Sequence, residues 1–112
     1  MAAEYGSLGA VSGLMQDTIE QGQECAALSF LNAIAQAHKA LGVLERVERI
    51  VRMSGYVASA EDFTAQPLVV NGASDLAVEI FGDKGKHARV AVGVTELPLG
   101  APVELEVILE VK

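Results

Sequence analysis

The chain has 112 residues, of which 51% are hydrophobic and 21% are charged, which fits one packed domain and leaves no room for a second core. Fifteen acidic residues against eight basic ones give a net charge of −7, and the basic residues are scattered, so composition disfavours a nucleic-acid partner. A single cysteine excludes an intrachain disulfide and a cysteine-based zinc site.

No targeting or membrane-spanning segment is evident in the sequence. The first five residues lack the basic and apolar regions of a signal peptide, and no run approaches the roughly 18 apolar residues of a membrane span. Together with the single cysteine, this pattern favours a cytoplasmic protein without a membrane partner.

The first predicted element is a helix that begins at Asp17. Asp17 is the expected N-cap, and the acid Glu20 follows it by three residues, as in a capping box. Apolar residues then recur at three- and four-residue steps, which predicts an amphipathic helix that ends at Gly42. The residues expected on its buried stripe are Ala27, Phe30, Leu31, Ile34, His38 and Leu41.

The hydrophobic period changes to two from Val47 to Ala58, which predicts a strand with apolar residues on both faces. A second helix is predicted from about Ser74 to Phe81, because Pro67 is expected to interrupt any helix that begins earlier. Two further alternating segments, 88–95 and 103–111, predict two strands joined by a proline-containing loop.

This order of helix, strand, helix, strand, strand predicts an α+β fold with two helices on one face of a mixed sheet. The strands carry apolar side chains on both faces, whereas two helices cover only one. The other sheet face therefore needs a partner, and we expect a homo-oligomer as the most economical one.

Few residues have a spacing that suggests chemistry. Cys25 with His38 or His87 suggests a nucleophile and its base, but a thiol in an alanine-rich helix is more often structural. Glu104 and Glu106 share one strand face about 7 Å apart, yet acids on a solvated strand are common. The sequence contains no metal-ligand spacing and no phosphate-binding glycine loop, so neither a metal nor a nucleotide cofactor is expected.

Arg89 has two small neighbours, Ala91 and Gly93, on its own strand face. A guanidinium beside open space suits a carboxylate ligand. An arginine that snorkels to solvent, or that pairs with an acid across the strands, is an equally good interpretation. If segments 87–97 and 103–111 form a simple hairpin, Arg89 and Glu104 lie about 20 Å apart. Any site that uses both residues must then lie between two subunits.

The stretch from Arg89 to Glu106 reads Arg-Val-Ala-Val-Gly-Val-Thr-Glu-Leu-Pro-Leu-Gly-Ala-Pro-Val-Glu-Leu-Glu. It resembles the R-x-x-V-x-V-x-x-L-P-x-x-A-x-V-E-I-E signature of the reactive-intermediate deaminase (Rid, YjgF-like) family. The connection after Phe63 resembles the subgroup labelled endoribonuclease. Further similar segments are 51–57, 62–63 and 70–75. The resemblance covers about residues 17–112 and implies one Rid-like domain over 1–112.

The resemblance implies a chorismate-mutase-like fold that assembles as a homotrimer with clefts between its subunits. By position, Arg89 is similar to the family arginine that grips a substrate carboxylate, and Asn71 to a cleft asparagine. Glu104 is similar to the catalytic acid that positions a water molecule. Ala91 stands where many members have cysteine, so a thiol role is lost there while its backbone remains available to the substrate.

The N-terminal segment departs from the family pattern. Family members usually have two strands before the first helix, with a tyrosine and a Ser-Gly-Gln turn that line the cleft, whereas here only residues 1–16 precede the helix. Ser12 and Gly13 are the candidates for the Ser-Gly pair, which makes Ser12 a candidate substrate-binding residue. Leu14 replaces the glutamine, and Tyr5 is a loose candidate for the tyrosine. We expect shortened N-terminal strands and a wider cleft.

The resemblance implies hydrolysis of 2-imino or enamino acids to 2-keto acids and ammonia. No cofactor is expected, because a protonated imine is already electrophilic. Two alternatives remain open. The same cleft could bind a small carboxylate metabolite without turnover, or the chain could cleave RNA or inhibit translation. The family label alone suggests the last activity, and the acidic composition disfavours it.

Overall fold

A computed structural model of the chain describes residues 15–112, with side chains from residue 19 onward. Its helices and strands are α1 (Met15–Leu41), β1 (Val47–Ala58), α2 (Gln66–Phe81), β2 (Ala88–Val94) and β3 (Val103–Val111). Short 3-10 turns precede β1, follow α2 and interrupt the β2–β3 loop. The predicted α+β class is confirmed. Tyr5, Ser12 and the expected shortening of the N-terminal strands lie outside the described residues.

The central strand of the sheet is β1. It pairs parallel to β2 on one side and antiparallel to β3 on the other, which gives the order β2-β1-β3. The hairpin between β2 and β3 that the sequence suggested does not form. The physical reason is that β1 has buried residues on both faces, so it takes the middle of the sheet, and α2 supplies the crossover that a parallel β1–β2 pair requires.

Both described helices pack on one face of this sheet, where the hydrophobic core lies. Met53 and Val57 of β1 point into that core and are fully buried, together with Phe30 of α1. Between them, Gly55 allows α2 to approach closely, since a Cβ at this position would lie 2.5 Å from the Val70 side chain. The core is therefore built on a close contact between β1 and the first half of α2.

The first helix forms as predicted, but its cap and its buried stripe differ from the prediction. Asp17 lies inside α1 rather than at its start. Leu31 and His38, both expected on the stripe, are exposed. The buried face instead includes Gly22 and Ala26. Small residues also shape the contact between the helices, since Gly72 of α2 lies so close to the Gln23 backbone of α1 that a Cβ would not fit there. A count of large apolar residues does not detect such a face.

The second helix begins at Gln66, eight residues before the predicted start at Ser74. Pro67 occupies its first turn, where the missing N–H has no intrahelical acceptor to lose, so proline starts this helix instead of interrupting it. Ile80, an apolar residue of this helix, is 43% exposed. The buried residues of α2 are Val69, Val70, Ala73 and Ala77.

The other face of the sheet has no helix over it within residues 15–112. It carries the apolar side chains of Val90, Val92 and Ile108, each 37–44% exposed. The strand register also places Tyr56 and Glu104 on this face as direct neighbours. We call it the open face.

Within the part of the chain that the structure covers, no helix is both long and apolar enough to cross a bilayer.

Candidate carboxylate-binding site

Arg89 is the second residue of β2, and its register opposite Met53 turns its side chain toward α2. Its Nη1 atom donates to Asn71 Oδ1 at 2.7 Å and to Ser74 Oγ at 3.2 Å. Asn71 and Ser74 are three residues apart and therefore share one face of α2. Helix α2 thus holds one nitrogen of the guanidinium with two hydrogen bonds.

No acid among the described residues neutralises the charge of Arg89. Both of its acceptors are neutral, and the ion pairs among residues 19–112 involve other side chains. The described residues supply no acceptor for its Nε and Nη2 atoms. Arg89 therefore does not pair with an acid across the strands. It retains the two-donor edge that binds a carboxylate in bidentate fashion.

Two further side chains extend the hydrogen bonding behind Arg89. Ser74 Oγ lies 2.9 Å from His87 Nε2, and His87 Nδ1 hydrogen-bonds to the Gly85 carbonyl. A carbonyl only accepts, so Nδ1 carries the proton, and in the neutral ring Nε2 accepts from the Ser74 hydroxyl. Donation therefore runs in one direction, from Arg89 to Ser74, from Ser74 to His87, and from His87 to Gly85. We call these four residues the Arg89 network.

An open pocket of about 290 Å³ adjoins this network. Arg89 and Lys86 contribute positive charge to its lining and Asp75 contributes negative charge, so the lining has a formal charge of +1 if His87 is neutral. The charge of Lys86 is partly offset by an exposed ion pair with Asp83 at 3.2 Å. The remaining lining residues are Ser74 and Val78. In a protein of net charge −7, this pocket favours a small anion.

The space expected beside Arg89 is smaller than the sequence suggested. Ala91 lies on the same face as Arg89 and packs against the core. At Gly93 the side chain of Gln66 fills the gap, since a Cβ on Gly93 would lie 2.6 Å from Gln66 Nε2. That amide donates to Ser59 Oγ at 3.2 Å and to the Phe63 carbonyl at 2.8 Å. The available space lies next to His87 instead.

Glu104 lies on the open face, opposite Tyr56, whereas Arg89 lies on the helix-covered face. Two strand spacings of ~4.8 Å and an offset of three residues separate their Cα atoms by about 14 Å. The sheet itself therefore stands between the two side chains. A single chain does not bring Glu104 and Arg89 into one site.

The other candidates from the sequence are also separated. Cys25 is buried in the core, while His38 is exposed near the far end of α1. His87 is engaged with Ser74 and Gly85. No group of three or more His, Cys, Asp or Glu side chains within residues 19–112 has the arrangement of a metal site.

Sequence reasoning missed Ser74 and His87 as partners of Arg89. Two signals were present. His87 precedes Arg89 by two residues and so belongs to the same side of an extended segment. Ser74 follows Asn71 by one helical step, but the predicted helix began only at Ser74, which hid the shared face.

Comparison with known proteins identifies the family. The family model described as "YjgF/chorismate_mutase-like, putative endoribonuclease" matches residues 5–110. The chain belongs to this YjgF/chorismate-mutase-like family, which confirms the resemblance seen in the stretch from Arg89 to Glu106.

Three relatives support this assignment. Protein TCP17 of Trypanosoma cruzi is 46% identical over 94 residues, which cover 83% of this chain and 59% of TCP17. The crystal structure of Atu1372, a protein of unknown function from Agrobacterium tumefaciens, is 41% identical with a TM-score of 0.83, covering 84% of this chain and 60% of that one. The crystal structure of a putative endoribonuclease from Shewanella oneidensis is 34% identical with a TM-score of 0.86, covering 95% and 67%.

The chain therefore spans about three fifths of the length of TCP17 and Atu1372. The likeness to Atu1372 and the Shewanella protein confirms the chorismate-mutase-like arrangement of two helices on a mixed sheet.

Proposed function

We propose that the chain hydrolyses 2-imino or enamino acids to 2-keto acids and ammonia in a cleft between two subunits. The observation that carries this proposal is the state of Arg89. Two neutral side chains of α2 hold its Nη1 atom, its charge has no acidic partner among the described residues, and a small pocket adjoins it. A substrate carboxylate is the counterpart that such a fork binds.

The chemistry needs only positioning and proton transfer. Bidentate contact with Arg89 fixes the carboxylate and, with it, the adjacent imine carbon. An enamine first takes a proton at C3 and becomes the iminium. Glu104 orients a water molecule and accepts its proton as the water oxygen bonds to C2. The resulting carbinolamine receives that proton on nitrogen, its hydroxyl group gives a proton back to Glu104 as the C–N bond breaks, and ammonia and the 2-keto acid leave.

A second subunit is part of this proposal because Glu104 and Arg89 of one chain lie on opposite faces of the sheet. The exposed apolar side chains Val90, Val92 and Ile108 share the open face with Glu104. Covering them with another copy would remove apolar area from water and would bring Glu104 to a subunit boundary. The homotrimer implied by the family resemblance is the assembly we propose.

Binding of a small carboxylate metabolite without turnover is the second candidate. It is favoured by the same separation of Arg89 from Glu104, since the Arg89 network and its pocket lie within one chain. A volume of about 290 Å³ suits a small metabolite rather than a large ligand.

Two measurements separate the candidates. In the first, an amino-acid oxidase generates the imine in place, and release of the 2-keto acid is compared with the spontaneous rate. In the second, titration calorimetry measures 2-ketobutyrate affinity. We expect both acceleration and binding. Binding without acceleration supports the second candidate, and absence of both overturns the carboxylate site.

The proposed catalytic acid, Glu104, has a matched control on its own strand, β3. Glu106 lies two residues from Glu104 on the same open face, so Glu104→Gln and Glu106→Gln remove the same charge from neighbouring positions. We expect Glu104→Gln to abolish acceleration and Glu106→Gln to retain it. Equal loss of acceleration in both variants would show that the negative charge of the open face, rather than the position of Glu104, supports hydrolysis. Cleavage of a defined RNA by nuclease-free protein, lost in Arg89→Lys, would instead support an endoribonuclease.

A further inference from the structure

We infer that Ser74 and His87 are positioning residues that fix the orientation of the Arg89 guanidinium and thereby set its affinity for a carboxylate. The statement about affinity rests on the proposed function. The statement about orientation does not, because it follows from the Arg89 network alone.

The guanidinium is planar, so its orientation is fixed once one terminal nitrogen is held. Nη1 carries two N–H groups, and both are used, one by Asn71 and one by Ser74. Holding this nitrogen points the opposite edge of the plane, formed by Nε and Nη2, away from α2. Loss of the Ser74 acceptor would leave Nη1 with Asn71 alone, and the plane could then turn about that single bond.

His87 determines what the Ser74 hydroxyl does. A helical serine can donate its single proton to the carbonyl four residues earlier, here Val70, and such a rotamer competes with other partners. With His87 Nε2 at 2.9 Å as acceptor, the proton points to His87, and a lone pair of Ser74 Oγ remains for Arg89 at 3.2 Å. His87 thus acts on Arg89 only through Ser74.

The far end of the network is anchored to the same helix. Gly85, whose carbonyl accepts from His87 Nδ1, is buried, and its backbone lies so close to the Ala77 carbonyl of α2 that a Cβ would not fit. This contact fixes Gly85 relative to α2, and its carbonyl fixes the tautomer and orientation of the imidazole. Helix α2 therefore holds Arg89 at one end of the network and Gly85 at the other.

The first experiment needs no ligand. Side-chain nitrogen NMR measures the order parameter of the Arg89 Nε–H group in the wild type, Ser74→Ala, Ser74→Thr and His87→Ala. We expect clear loss of order in Ser74→Ala and His87→Ala and near-complete recovery in Ser74→Thr, which keeps the hydroxyl. Ser29→Ala on α1 is the matched control for a helical serine-to-alanine change and should leave Arg89 unchanged. Unaltered order of Arg89 in both Ser74→Ala and His87→Ala would overturn the inference.

The second experiment tests whether His87 affects carboxylate affinity only through Ser74. Since a neutral hydrogen bond is lost, we expect 2-ketobutyrate affinity to fall about three- to tenfold in Ser74→Ala and in His87→Ala. The double variant should bind within about twofold of Ser74→Ala, because His87 acts through Ser74. Losses that multiply would show that His87 contacts the ligand independently and would overturn the route. If the wild type binds no 2-ketobutyrate, the proposed function fails, while the NMR result still decides the orientation of Arg89.

Discussion

Arg89 and Glu104 lie on opposite faces of one three-stranded sheet, on the two strands that flank β1. The first side chain is held by α2, and the second is exposed on a face that no described helix covers. Chemistry that uses both groups therefore requires a second copy of the chain, and the proposed activity depends on assembly.

This arrangement predicts complementation between two inactive variants. Arg89→Lys and Glu104→Gln should each lose imine hydrolysis. When the two proteins are unfolded together and refolded as mixed trimers, some interfaces combine an intact arginine with an intact glutamate from the neighbour. Random mixing in equal amounts should restore about one quarter of wild-type activity. Activity is measured before and after mixing, and no recovery from confirmed mixed trimers would contradict a site shared between subunits.

Arg89→Lys should weaken binding of 2-ketobutyrate about ten- to hundredfold while the assembly survives. Lysine keeps the charge but loses the planar fork, and a charge-assisted hydrogen bond contributes about 1.5–3 kcal/mol. Titration calorimetry measures the affinity, and light scattering measures the assembly. Arg49→Lys is the control, because Arg49 forms an exposed ion pair with Glu110 at 3.0 Å. An affinity of Arg89→Lys within twofold of wild type would make Arg89 a structural residue.

The regular elements were predictable because each has a strong hydrophobic period. The bounds of β1 agree with the alternation in the sequence, and β2 and β3 lie where alternation placed them. The neighbours of each strand were not predictable. Strand pairing depends on which strand is buried on both faces. The sequence of the β2–β3 loop does not reveal that this loop passes over β1 and connects the two outer strands of the sheet.

The candidate site was only partly predictable, because Arg89 is visible in the local sequence whereas its partners come from another element. Arg89 stands out in the sequence because a charged residue interrupts small and apolar neighbours. Its hydrogen-bond acceptors, Asn71 and Ser74, come from α2. The start of this helix was predicted eight residues too late, because Pro67 was assumed to break a helix. The sequence places His87 on the same side of the segment as Arg89 but does not reveal its hydrogen bonds, since these depend on how closely Gly85 approaches α2.

Val92→Glu should convert the proposed trimer to smaller species at micromolar concentration. Val92 lies on the open face beside Tyr56, and is 42% exposed in the single chain. A glutamate there costs little in the monomer but would bury a charge in an interface, on the face that also carries Glu104. Light scattering should report three chains for the wild type and fewer for the variant.

Leu99→Glu is the control for this prediction. Leu99 is 94% exposed and lies in the β2–β3 loop, outside the strands. A monodisperse wild-type monomer would remove both the proposed trimer and the shared site, and an intact trimer in Val92→Glu would place the interface elsewhere.

Gly55→Ala should destabilise the fold by about 1–3 kcal/mol, because the new Cβ would lie 2.5 Å from Val70 Cγ2 and 3.0 Å from Cγ1. Val70→Ala should also destabilise the protein, since Val70 is fully buried and its loss leaves a cavity. The two changes are expected to compensate each other. In the double variant the alanine at 55 occupies space vacated by the valine methyl groups, so its free energy of unfolding should exceed the value expected from adding the two losses. Urea unfolding of all four proteins measures this coupling. Strict additivity would show that β1 and α2 do not meet at Gly55 and Val70.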